Sequence, residues 1–195
     1  MKSYIVELLA LYLLVDALRD GDGSAVRGLV DVISRVVSGA EQVRSVAARF
    51  AGVERLVVTG RGYSYPTARE AALKLMETSY VAAQAFSGAD LLHGPMAMLQ
   101  DGSAVIAIAA GGVSGQAIAP VLDRLVELGT NLVVVGNALD TDTAVGRLAL
   151  PAGLPEELSP IVEIVPLQML ARELAVIGGH DPDAPRGLRK VTETW

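Results

Sequence analysis

The chain has 195 residues, about half of them hydrophobic with a mean hydropathy of +0.43, which suffices for one α/β domain with a sizeable core. Its net charge of −6 excludes the basic face that a nucleic-acid surface needs, but leaves small anionic ligands open, because local dipoles and a few cations hold those. It has no cysteine, which excludes a disulfide framework, a thiolate metal site and a cysteine nucleophile and makes a cytoplasmic setting the default.

Ser3–Arg19 reads as a first helix. Ile5 to Leu18 is almost wholly apolar, but Glu7 and Asp16 interrupt it and it is too short to span a bilayer, so no membrane partner is expected. It lacks a signal-peptide cleavage pattern, and Arg19-Asp20-Gly21-Asp22-Gly23 stops it. A helix apolar all round has to be buried. At the start of a chain, that points to another domain or another subunit. Ser24–Phe50 reads as a second, weakly amphipathic helix with Gly28 and Gly39 as break points. Residues 1–52 are therefore expected to be a helical connector packed on a partner domain or subunit, and residues 53–195 the main domain with a C-terminal tail.

Arg55–Thr59 reads as a short strand, turned by Gly60-Arg61-Gly62 into a helix over Pro66–Tyr80. Val81–Phe86 reads as a brief strand. Ala89–Gln100 reads as a turn around Leu92-His93-Gly94 and then a helix opened by Pro95. Ala104–Ala110 is a buried strand, Gly111–Gly115 a loop, and Gln116–Leu128 a helix ended by Gly129. Asn131–Val135 and Arg147–Leu150 are further strands, and Ser159-Pro160 opens a helix to about Ile177. Strands alternating with helices predict a parallel sheet covered on both faces, a three-layer αβα sandwich preceded by two connector helices.

The helix after Gly62 carries Glu70, Lys74 and Glu77 at i, i+4 and i+7. At ~100° per residue they fall within roughly 60° of arc. Two readings are open: a salt-bridge ladder on an exposed face, or the acid–base edge of a wet cleft. In an open α/β sheet, ligands sit beyond the carboxyl ends of the strands, which singles out the Gly60–Gly62 turn and the Gly111–Gly115 loop. Gly60-Arg-Gly-Tyr-Ser-Tyr65 lacks the third glycine of a dinucleotide turn, and Gly111–Gly115 has one serine and no nearby cation. No metal-ligand spacing occurs around the two histidines, so neither a metal nor another cofactor is expected.

Four blocks, Gly60-Arg-Gly-x-x-Tyr-Pro-x-Ala-x-Glu70-x-Ala-Leu-Lys74-Leu-x-Glu77-x-Ser-Tyr80, Leu91-x-His93-Gly-Pro, Val165-Pro-Leu-Gln168 and Asp183-x-Pro-Arg186-x-Leu-x-Lys190, together resemble the second of the two tandem sugar isomerase (SIS) domains of glucosamine-6-phosphate synthase. They are similar also to its deaminase relatives. The resemblance runs over nearly the whole chain and implies a flavodoxin-like SIS fold. It further implies that the carboxylate at Glu77 moves a proton between C1 and C2 of an open sugar. The histidine at His93 would assist ring opening from the neighbouring subunit, the amine at Lys190 would meet the sugar carbonyl, and Lys74 would line the pocket. Gly60, Arg61, Gly62, Ser3 and Arg189 would complete the substrate-binding set. The chemistry suits these residue types: an aldose–ketose shift needs a carboxylate near the α-carbon, and an amine near the carbonyl serves as nucleophile or electrostatic partner.

Departures from the family pattern are Asp90 for glutamate, Leu92 for lysine and Arg189 for a small residue. The Ser/Thr-rich loop by which a first SIS domain grips the sugar phosphate has no counterpart. The expectation is half of an active site for fructose 6-phosphate or glucosamine 6-phosphate, in a homodimer or with a first SIS domain supplied elsewhere, and inactive alone. The alternatives are a non-catalytic phosphosugar sensor or assembly module, and a generic nucleotide-binding α/β domain.

Overall fold

A computed structural model describes residues 2–137 and 146–187. Its helices, in chain order, are α1 Lys2–Leu18, α2 Leu29–Ser38, α3 Ala40–Arg49, α4 Ser64–Lys74, α5 Gly88–Leu92, α6 Val113–Gln116, α7 Ala119–Glu127 and α8 Ser159–Ile177. The strands are β1 Arg55–Gly60, β2 Ala82–Ser87, β3 Ala104–Ile108, β4 Asn131–Val135 and β5 Gly146–Leu148. They form one parallel sheet in the order β2-β1-β3-β4-β5.

Side chains alternate across a strand, so each strand feeds two layers. Leu56 and Val58 of β1, Ala104, Ile106 and Ile108 of β3, and Val133 and Val135 of β4 face a core shared with α2, α3, α4 and α8. Val57, Val105, Ala107, Leu132 and Val134 face the opposite core, filled from α5 and α7 by Leu91, Val121, Leu122 and Leu125. Burial on both faces is why β3 and β4 read as unbroken apolar runs and why the sheet is parallel. The expected three-layer αβα sandwich is the observed one.

Four segments differ from expectation in their local form. Residues 24–50 hold two helices and a short 3-10 turn, divided at Gly28 and Gly39. The helix expected over 116–128 is α6 and α7, divided before Pro120, whose ring displaces the helical carbonyl and which lacks an N–H. The segment 89–100 coils earlier than expected, with α5 preceding His93 and only a 3-10 turn at Pro95–Met98. The helix placed at 66–80 begins at Ser64 and changes to a π turn over Leu75–Ser79.

Tyr4, Ile5, Leu8, Leu9 and Tyr12 of α1 pack on the core beside α8. Its other face leaves Val6, Leu11, Leu14 and Leu18 between 57% and 77% exposed. Among the described residues, no helix is long and apolar enough to cross a membrane.

Candidate functional site

Strand order reverses between β1 and β3, so the chain leaves these neighbours on opposite faces and opens a crevice at their carboxyl ends. The Gly60–Gly62 turn forms one wall. A Cβ at Gly60 would lie 2.8 Å from the Ser64 carbonyl oxygen, so glycine there lets α4 start directly above the strand. Gly62 has φ +51°, and a Cβ there would run into the Ser114 hydroxyl of α6, so the loops after β1 and β3 touch. Arg61 is half-buried, its stem laid against Gly88 at the start of α5.

Down α4, the Lys74 ammonium sits between two carboxylates, 2.6 Å from Glu77 Oε2 and 3.5 Å from Glu70 Oε1. The three side chains are only 14%, 27% and 15% exposed, respectively. They form a mostly buried cluster, not a ladder on a solvent face. Desolvation pulls the Lys74 pKa down, but the hydrogen bond to Glu77 and the charges of Glu70 and Glu77 outweigh it and hold the ammonium above the usual lysine value. A protonated amine is an electrostatic partner and not a nucleophile.

Glu77 stands on the π turn. The Thr78 hydroxyl donates to the Lys74 carbonyl at 2.8 Å, and the Ser79 hydroxyl donates to the Ala171 carbonyl of α8 at 2.8 Å. Tyr80 closes the turn at φ +56°. Such π turns inside helices are frequent at functional sites.

The other expected site residues are placed as follows. Ser3 is exposed in the first turn of α1, next to Tyr4, whose hydroxyl lies 3.4 Å from Thr67 Oγ1 of α4. His93 follows α5 beyond the carboxyl end of β2, exposed, and its side chain makes no hydrogen bond or ion pair among the described residues. Gly60, Arg61 and Gly62 border the crevice at the first turn of α4, more than three helical turns from Glu77. Arg189 and Lys190 lie outside the described residues. An open cleft of about 490 Å³ lies along α4, lined by Tyr4, Pro66, Arg69, Glu70 and Met76 among others. A second, of about 740 Å³, lies between α1 and the crevice loops, lined by Leu8, Tyr12, Asp16, Gly62, Tyr63 and Ser114 among others. No group of three or more His, Cys, Asp or Glu among the described residues is placed to hold a metal ion.

Two carboxylates went unnoticed in the sequence. The Glu156 carboxylate accepts the backbone N–H groups of Val113 at 3.1 Å and Ser114 at 2.7 Å. Hydrogen bonding from the Ser114 side chain and these amides holds its carboxyl below the usual range. Two amides of the Gly111–Gly115 loop are thus occupied from within the chain. Glu163 of α8 is fully buried and accepts the Ser64 hydroxyl at 2.8 Å, while its Oε2 has no hydrogen-bond partner. Burial pushes its carboxyl above the usual range, an effect that the Ser64 hydrogen bond moderates. The signal for Glu163 was available: one acid inside the apolar run Ile161–Leu167.

The sequence model of the SIS domain matches residues 49–178, spanning the sheet, α4 and α8. The chain is 34% identical over 196 residues to glutamine–fructose-6-phosphate aminotransferase (isomerizing) of Pyrococcus horikoshii, covering 97% of this chain and 33% of that protein. It therefore spans about a third of the length of the curated relatives it matches. Among solved structures, it resembles the C-terminal domain of glucosamine-fructose-6-phosphate aminotransferase from Francisella tularensis, with a TM-score of 0.76, 26% identity, and coverage of 82% of this chain and 45% of that one. It shares the fold of glucosamine-6-phosphate deaminase from Thermotoga maritima, with a TM-score of 0.66, 23% identity, and coverage of 97% and 56%. A five-stranded parallel sheet with the crevice between β1 and β3, carried by a sequence that matches over most of its length, makes this chain a member of the SIS domain family.

Proposed function

We propose that the chain is the second SIS half of an aminosugar-phosphate isomerase, deaminase or aminotransferase acting on fructose 6-phosphate or glucosamine 6-phosphate in the cytoplasm. The observation that carries this reading is the Lys74 ammonium held between Glu70 and Glu77 on the helix that begins at the Gly60–Gly62 turn. The similarity to the aminotransferase over 97% of the chain supports it.

In this reading Glu77 is the base that carries a proton between C1 and C2 of the open sugar. Its carboxylate is oriented by the Lys74 ammonium, which donates to it at 2.6 Å. Lys74 is charged, so the amine that meets the carbonyl is a different one, Lys190. His93 assists ring opening from a neighbouring subunit, which makes a homodimer the working unit. Gly60, Arg61, Gly62, Ser3 and Arg189 contact the substrate. A first SIS domain, upstream or on another chain, supplies the phosphate grip.

The test compares the 195-residue chain alone with the same chain joined to a first SIS domain. The chain alone is expected to bind either sugar phosphate weakly and to turn over neither. Joined, it is expected to isomerise or aminate the sugar, with Glu77→Gln lowering the rate at least about a hundredfold. Robust turnover by the chain alone would overturn the division of the site. Undiminished activity of joined Glu77→Gln would remove Glu77 as the base and leave a non-catalytic sugar-binding module.

A further inference from the structure

Tyr80 is a bulky residue in the left-handed region, at φ +56°, where side chains other than glycine, asparagine and aspartate are outliers. A helix that needed only to stop would be served better by glycine. The side chain shows what the conformation obtains. The Tyr80 hydroxyl accepts the backbone N–H of Arg186 at 2.7 Å. The Arg186 guanidinium lies over the Tyr80 ring, 4.1 Å from its centroid. The His180 ring meets the same ring edge-on, with centroids 4.6 Å apart and planes at 74°.

One ring thus holds both ends of the tail segment 180–186. The segment between is itself stiff. Pro182 and Pro185 fix their own φ angles, and the Asp183 N–H bonds the Asp181 carboxylate at 2.9 Å. A stiff segment fixed at two points on one ring has little freedom left.

We propose that Tyr80 is a positioning residue that pins the tail segment 180–186 to the end of the π turn carrying Glu77, so that the chain beyond Arg186 departs from the Glu77 end of α4. Glu77 is three positions before the pin, and Lys190 is four positions beyond Arg186, a span of at most ~14 Å. The catalytic meaning of the pin rests on the reading of Lys190 and Glu77 given above; the pin itself does not.

Two variants of the full chain separate the pin from a mere helix stop. Tyr80→Gly suits the backbone angle better than tyrosine but removes the ring. Tyr80→Phe removes the hydroxyl alone. Residue-resolved hydrogen exchange is expected to show the Arg186 amide exchanging about tenfold faster in Tyr80→Phe. In Tyr80→Gly, exchange across 180–187 and tryptic cleavage after Arg186 are expected to rise about tenfold, with β3 and β4 amides unchanged. Unchanged protection of 180–187 in Tyr80→Gly would overturn the pin.

A second arm uses the chain's three lysines, Lys2, Lys74 and Lys190. In the chain joined to a first SIS domain, each is scored by mass spectrometry for fructose 6-phosphate captured with cyanoborohydride. Tyr80→Gly is expected to lower capture at Lys190 about tenfold relative to Lys2, and Tyr80→Phe to keep most of it. A freed tail with Lys190 captured as in the wild type would overturn the positioning role. No capture at Lys190 in the wild type, together with a tail freed by Tyr80→Gly, would uphold the pin and overturn the sugar reading.

Discussion

Ser64, in the first turn of α4, donates its hydroxyl to Glu163 Oε1 of α8 across 2.8 Å, so the helix that frames the crevice is bonded at its base to a carboxyl group with no solvent exposure. The Glu156 carboxylate adds negative potential nearby and raises the Glu163 carboxyl further. Burial dominates, and the folded state favours the protonated acid.

That preference sets the sign of a pH effect. A carboxyl whose pKa is raised on folding contributes stability that is fully present below its unfolded value, about 4.3, and is lost as pH rises through the folded value. Glu163→Gln keeps the shape and cannot ionise. Its melting temperature is expected to match the wild type near pH 4 and to exceed it by roughly 3 °C or more at pH 8. Parallel curves across that range would show that Glu163 does not titrate between the two states.

The cluster on α4 separates stability from chemistry. Lys74→Met leaves Glu70 and Glu77 facing each other without their shared cation, and is expected to cost about 1–3 kcal/mol at pH 7. Glu77→Gln leaves Lys74 paired with Glu70 and is expected to cost less than half as much, while removing the proposed base. Urea titrations of both variants check the order; equal losses would mean that Glu77 matters to the fold as much as Lys74 does.

The contact between the crevice loops is open to a double-mutant cycle. Gly62→Ala meets both a left-handed φ and the Ser114 hydroxyl, and is expected to lower stability by about 2 kcal/mol. Ser114→Gly in the same chain removes the collision and is expected to recover part of the loss, leaving the cost of the backbone angle. Additive effects would mean that the loops do not touch in solution.

The outer face of α1 makes the opposite kind of expectation. Leu14 and Leu18 are 57% and 77% exposed, so Leu14→Glu with Leu18→Glu is expected to change the stability of the chain by less than about 1 kcal/mol. If a subunit or a first SIS domain covers this face, the same pair abolishes association in sedimentation velocity. Association unaffected by the two glutamates would place that interface elsewhere.

Much of this architecture was legible in the chain. The β3 and β4 runs are apolar without alternation, which only a doubly covered strand requires, and their limits fell within two residues of expectation. The spacing of Glu70, Lys74 and Glu77 brought them to one side of a helix, and they do cluster. What stayed hidden depends on contacts distant in sequence. Nothing near Leu75 marks a π turn; Ser79 bonding the Ala171 carbonyl helps hold it, across ninety-two positions. Nothing beside Glu156 singles it out, because an amide it accepts comes from a loop forty-two positions earlier. The fixing of the tail stayed hidden because Tyr80, its anchor, lies one hundred and six positions before Arg186.

The π turn gives the segment Leu75–Ser79 one more residue than a regular helical ladder holds. Loss of Leu75 or Met76 would restore an ordinary helix and leave Glu77 two positions after Lys74, about 200° around the helix instead of about 60°. Such a descendant would still align with this chain almost letter for letter. It would carry the same lysine and the same glutamate, and no longer the same meeting between them. A gap of one position between Lys74 and Glu77 would therefore disturb this pair more than many substitutions elsewhere.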